Sequence, residues 1–223
     1  NIVGQGVGSA SGEFNGDTSL KESTLKAKEI VFPGLCSIDV INEANREETF
    51  DDNITLGVLS DKLRKYLAKQ EKLYFDIHTI RAFIAGLASS RLIILEGLSG
   101  TGKSSLARYF SDFISEDSYF EPVQATWRDR TNLLGFYNDF SKTYNETEFL
   151  KRLYDATYKP HHMNIMVLDE VNISRVEYYF ADFLSILEYP MDKWYLKIMQ
   201  LPYDFEAPNH LEDGILKIPS NTW

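Results

Sequence analysis

The chain has 223 residues, 43% of them hydrophobic, which is enough for one substantial core or one domain with an extension. A formal net charge of −10 disfavours a general nucleic-acid surface, because phosphate binding needs clustered Lys and Arg, and leaves room only for a local basic groove. The single cysteine, Cys36, excludes an internal disulfide framework and fits a reducing, cytoplasmic setting, and no apolar run approaches membrane-spanning length.

Residues 1–20 carry Gly4, Gly6, Gly8, Gly12 and Gly16 among Ser, Asn and Asp, which is linker composition. No signal peptide is visible, and a start at Asn1 in place of Met predicts that something has been removed or that this is a segment of a longer protein. Residues 28–32 (KEIVF) read as a short strand, Pro33-Gly34 as a turn and 37–48 as a short helix, with Cys36 a small buried hydrophobe. Residues 1–55 thus form either a small N-terminal subdomain or a partly ordered linker, without assigned function. Residues 56–223 form the main domain.

From Leu56 the pattern sharpens. Residues 59–70 are helical, with Ser60 as N-cap candidate. Asp76 caps the next helix, whose apolar stripe is Ile77, Ile80, Ile84 and Leu87. Residues 91–96 read as a buried strand. A helix follows with Leu106, Tyr109, Phe110 and Phe113 on one face, then a strand over 120–125 and a helix over 145–158 that turns Phe149, Leu150, Leu153 and Tyr154 inward. A strand at 165–169 precedes a helix with Val176, Tyr179, Phe180, Phe183, Leu184 and Leu187 at packed-face spacing. Residues 194–201 and 214–218 read as two short strands joined by a loop with Pro202 and Pro208. Strand–helix alternation predicts an α/β fold, a parallel sheet covered by helices.

Two motifs sit at the carboxyl ends of predicted strands, where such sheets bind ligands. The first is Gly97-Leu98-Ser99-Gly100-Thr101-Gly102-Lys103-Ser104-Ser105, between a strand and a helix. Gly97, Gly102, Lys103 and Ser104 fit G-x-x-x-x-G-K-[ST], the phosphate-binding loop. Its glycines let backbone N–H groups converge on phosphate oxygens, and the helix N-terminus adds partial positive charge. Lys103 brings a full charge to the β and γ phosphates of a nucleoside triphosphate, ATP or GTP. The Ser104 hydroxyl suits Mg²⁺, a hard cation. The second motif is IMVLDE (165–170). Asp169 reaches Mg²⁺ directly or through water, and Glu170 polarises the attacking water.

Together, GLSGTGKSSLARYF (97–110) and MVLDEVNISRVEYYFADFLSILE (166–188) resemble the AAA+ ATPases, above all the McrB-like branch, the motor subunits of modification-dependent restriction systems, with relatives in the MoxR and dynein-related groups. The likeness covers residues 70–223, and TWRDRTNLLGFYND (126–139) shares it. It implies a P-loop NTPase core and a hexameric ring. It implies Mg²⁺-dependent hydrolysis coupled to remodelling or translocation of a nucleic-acid or protein partner, with a nuclease subunit among the possible partners. Asn172 matches the asparagine after the acidic pair; it either orients Glu170 or senses the γ-phosphate, or else caps the following helix. Arg175 faces a neighbouring subunit or makes a surface salt bridge. Arg128 and Arg130 touch nucleic acid or a neighbouring site, or belong to a solvated loop.

The resemblance also implies a further core strand, between the phosphate-loop strand and the acidic strand, then a first sensor, an arginine finger and a helical lid. None has a counterpart here, so the expectation is a core incomplete at its C-terminus, part of a longer polypeptide, with a gap in its sheet. Two functions remain open. One is a nucleoside triphosphatase, weakly active in this form. The other is a nucleotide-binding switch or assembly module with little turnover.

Overall fold

The computed structural model describes residues 28–42, 54–201 and 207–223. The linker reading of residues 1–20, the end of the helix expected over 37–48 and Pro202 lie outside them. The described chain is mixed α/β, with a small parallel sheet and helices on both of its faces.

The N-terminal region departs from expectation. Residues 28–31 are helical, closed by the Phe32 N–H donating to the Lys28 carbonyl at 2.8 Å. Helix α1 (Pro33–Asn42) follows at once. Proline lacks the N–H that the first helical position does not need, so Pro33 starts a helix where a turn was expected. Helix α2 (Leu56–Lys69) is capped by Thr55, whose Oγ1 accepts from the Val58 N–H. Ser60 is instead buried within the helix, its hydroxyl donating back to the Leu56 carbonyl at 2.7 Å. Asp76 caps α3 (Ile77–Ser89) as its sequence predicts, accepting from the His78 and Thr79 N–H groups at 2.8 and 3.1 Å.

Helix α4 (Lys103–Phe113) leads to strand β1 (Ser118–Pro122). A one-turn helix α5 (Thr131–Leu134) precedes a hairpin, β2 (Phe136–Asn138) with β3 (Thr143–Asn145), which lies between the expected strand and the expected helix and takes Asn145 from the latter. Helix α6 (Glu148–Asp155), capped by Thr147, continues into a 3-10 turn (Ala156–Tyr158). Strand β4 (Ile165–Asp169) lies parallel to β1, Ser118 opposite Ile165 and Pro122 opposite Asp169. The single helix expected over 176–187 is two, α7 (Val176–Tyr179) and α8 (Ala181–Leu187), broken where Phe180 takes φ −116° and ψ 5°. Three short strands, β5 (Tyr195–Lys197), β6 (Leu211–Glu212) and β7 (Ile215–Lys217), form an antiparallel sheet in the order β5-β7-β6. The expected pair of strands is present, with one more.

Strand β4 divides the core by its two-residue period. Ile165 and Val167 pack with Leu63, Leu67, Ile80, Phe83, Leu106 and Phe110 of α2, α3 and α4. Met166 and Leu168 pack on the other side, with Trp127, Phe149, Leu153, Tyr179 and Phe183. Leu196, Leu211 and Leu216 bring the antiparallel sheet onto this second cluster.

Residues 91–96 are not a strand. They carry no ladder partner among the described residues. Ile93 and Leu95 pack against the helical cluster, while Leu92 and Ile94 stay 39% and 80% exposed. An apolar run makes a strand only when another strand satisfies its backbone groups. Among the described residues, neither edge has one. Strand β4 pairs with β1 along one edge. Among the described residues, its other edge meets the C-terminal residues: Asn164 bridges Thr222 in parallel, the Met166 N–H donates to the Trp223 carbonyl at 2.8 Å, and the Trp223 N–H donates to the Asn164 carbonyl at 2.9 Å.

Candidate functional site

The segment from Gly97 to Gly102 is an irregular loop, solvent-facing through most of its length. Gly100 and Gly102 take φ values of +77° and +86°, which side chains other than glycine rarely adopt. Gly102 is the left-handed N-cap of α4, so the loop turns directly into the helix and leaves that helix's first N–H groups facing the loop. A Cβ at Gly102 would come within 3.0 Å of the Phe75 ring, which closes this side of the loop. Inside the loop, the Thr101 hydroxyl donates to the Leu98 carbonyl at 2.8 Å. The Lys103 ammonium donates to the Gly97 and Leu98 carbonyls at 2.9 and 2.7 Å. Loop curvature and lysine reach are thus set by the loop's own backbone.

Strand β4 delivers the carboxylate. Asp169 ends the strand, and its Oδ1 accepts from the Ser104 hydroxyl at 3.0 Å. Two residues 65 positions apart are brought together at the half-buried mouth of the parallel pair. The same Oδ1 accepts from the Glu170 N–H at 3.2 Å. Glu170 stands at φ 55°, ψ 42°, a left-handed backbone that swings the chain off the strand axis and leaves its side chain exposed. A hydroxyl and a carboxylate oxygen side by side are hard donors suited to Mg²⁺. Among the described residues there is no group of three or more His, Cys, Asp and Glu that could hold a metal alone. Mg²⁺ does not require one, because it takes one or two protein carboxylates and completes its shell with phosphate and water. Ser104 and Asp169 therefore fit that ion.

The remaining sequence candidates divide. Asn172 is exposed in a 3-10 turn (Val171–Ile173), and Arg175 occupies the N-cap position of α7, so Asn172 does not cap that helix. Arg175 donates to the Tyr178 hydroxyl at 3.2 Å, a local contact. Arg130 pairs with Asp182 at 2.6 Å and also donates to the Lys197 carbonyl, so it ties α5 to α8 and β5. Arg128 is exposed on the loop before α5. Ser105, just past the loop, is half-buried on α4.

Phe75 is a site residue that the sequence did not announce. It also lines a cavity of about 550 Å³ with Asp61, Arg64, Lys65, Tyr74 and Asp76. Its place beside Gly102 comes from the packing of α2 against α3, which no local pattern records. Among the described residues, no helix is long and apolar enough to cross a membrane. No protein-family profile matches the chain, and none of the curated proteins matches it either.

Proposed function

We propose that this protein binds the phosphates of a nucleoside triphosphate, ATP or GTP, at residues 97–105 and hydrolyses it with Mg²⁺. In this reading it is a P-loop core of the AAA+ type, McrB-like, that works in an oligomeric ring. The observation that carries the reading is the 3.0 Å contact between Ser104 and Asp169. A phosphate loop needs its hydroxyl and the strand-end carboxylate at one point, and two distant motifs meet there.

The roles follow from the chemistry of each group. The loop N–H groups and the N-terminus of α4 receive phosphate oxygens. Lys103 exchanges its bonds to the Gly97 and Leu98 carbonyls for bonds to the β and γ phosphates. Bound Mg²⁺ would neutralise charge on those phosphates, held by Ser104 and Asp169. Glu170, exposed beside Asp169, accepts a hydrogen bond from the attacking water and orients it.

Lys103→Ala removes the charge that meets the phosphates. Affinity for a fluorescent ATP analogue with Mg²⁺ is expected to fall about tenfold or more, roughly 1.4 kcal/mol. Equal affinity in the two proteins would overturn the phosphate-loop assignment.

A further inference from the structure

We infer that Trp223 is a positioning residue for the phosphate loop, holding the segment that enters the loop in register with the strand that ends at Asp169. The inference rests on the nucleotide-binding reading above. Residues 92–96 lead into the loop without a ladder partner among the described residues, so their position depends on side chains. One face is fixed by Ile93 and Leu95 in the helical cluster. The start of the segment is fixed by Arg91. Its guanidinium lies 3.8 Å from the centre of the Trp223 ring, and its Nε donates to the Ser220 carbonyl at 2.7 Å. A cation over an indole face is the strongest contact of this type.

Trp223 then reaches in two other directions. Its indole N–H donates to the Leu87 carbonyl at 2.7 Å, in the last turn of α3. Its backbone N–H and carbonyl bond Asn164 and Met166 of the β4 edge at 2.9 and 2.8 Å. One residue thus joins the helix before the loop, the segment entering the loop and the strand carrying Asp169. The 3.0 Å meeting of Ser104 with Asp169 requires the loop side and the β4 side to keep their register. Trp223 touches neither residue among these contacts, so its effect passes through Arg91 and β4.

The test compares wild type, Trp223→Ala, Arg91→Ala, their double variant and Lys103→Ala in the full 223-residue chain, by titration with a fluorescent ATP analogue and Mg²⁺. Trp223→Ala and Arg91→Ala are each expected to weaken binding about fivefold or more. The double variant is expected to be no weaker than the worse single one, since both remove the same link. Amide exchange should rise over residues 92–98 and stay unchanged in the β1–β4 ladder. Uniformly faster exchange would make Trp223 ordinary packing and overturn the inference. So would wild-type affinity in Arg91→Ala, a partly exposed site that keeps the test open if Trp223→Ala does not fold. If Lys103→Ala alone binds normally, the nucleotide reading falls and this inference falls with it. If only Lys103→Ala is impaired, the nucleotide reading stands and Trp223 has no positioning role.

Discussion

At the scale of single residues, Glu170 carries a conflict between backbone and chemistry. A left-handed conformation costs a residue with a Cβ about 1 kcal/mol or more, and glycine escapes that cost. Glu170 takes φ 55° although nothing in its exposed position rewards a bulky side chain with burial. The strain is intelligible if the carboxylate is needed where the turn places it. Glu170→Gly is therefore expected to raise stability by about 1 kcal/mol and, on the proposed function, to abolish turnover. Glu170→Gln keeps the Cβ and the strain, so its stability should stay at the wild-type level, with nucleotide binding retained and most turnover lost. Denaturant melts and single-turnover hydrolysis at saturating nucleotide separate the two. A glycine variant less stable than wild type would mean the conformation is not strained. Unchanged hydrolysis in Glu170→Gln would move the catalytic role to another group.

At the scale of elements, α1 shows how a helix is fixed by groups far away in sequence. The Glu146 carboxylate accepts from the Gly34 and Leu35 N–H groups at 2.6 and 3.0 Å, supplying from a distant loop the cap that Phe32 cannot. Burial raises the pKa of Glu146, and those two bonds oppose the rise. Near the other end, buried Asp39 accepts from the Tyr154 and Tyr158 hydroxyls at 2.6 and 2.5 Å and from the Asn209 N–H at 3.1 Å. Burial, and then the bond to Asp39, pushes the Tyr158 phenol up to about 12 and Tyr154 further in the same direction. An unfolded tyrosine titrates near 10. A raised folded value means that this contribution is complete below pH ~10 and is lost as pH climbs through the folded values. Melting temperature is thus expected to fall from about pH 10 towards 12. Tyr158→Phe should cost about 1 kcal/mol at neutral pH and flatten the alkaline fall. An identical alkaline fall in Tyr158→Phe would place the titration elsewhere. None of this was legible in sequence, because Glu146, Asp39 and the tyrosines acquire their roles only across more than a hundred residues. What was legible had local causes: the Asp76 cap, the stripes of α3 and α4, the apolar run of β4 and the loop between Gly97 and Lys103. The strand at 91–96 was misread for the complementary reason. Its hydrophobicity is local, but a strand also needs a neighbour, and sequence does not display neighbours.

At the scale of the whole molecule, a two-stranded parallel ladder is too small to be stable alone. It persists here because helices α2, α3 and α4 cover one face and the Trp127–Phe149–Tyr179 cluster covers the other. Stability is therefore uneven. The amides that bond β1 to β4 lie between the two clusters and should exchange only when the whole domain opens. Within residues 92–98, Ile93 and Leu95 pack inward, Leu92, Ile94 and Leu98 are exposed, and no ladder partner lies among the described residues, so this segment should exchange far faster than β4, although each leads into a candidate site. Mg²⁺ with a nucleoside triphosphate should change this contrast in a defined order. On the proposed reading, phosphate bound between Lys103, Ser104 and the N-terminus of α4 would link the loop to Asp169, so protection should appear first over residues 97–105. It should extend back into 92–96 and leave β1 and β4 almost unchanged. The same binding should stabilise the protein by about 2.7 kcal/mol at a ligand concentration one hundred times Kd. Exchange followed by mass spectrometry, with and without a slowly hydrolysed analogue, gives the pattern, and thermal shift gives the linkage. Protection confined to some other surface would detach the bound ligand from the loop. Slow exchange of residues 92–96 in the free protein would show that the segment already has a strand partner.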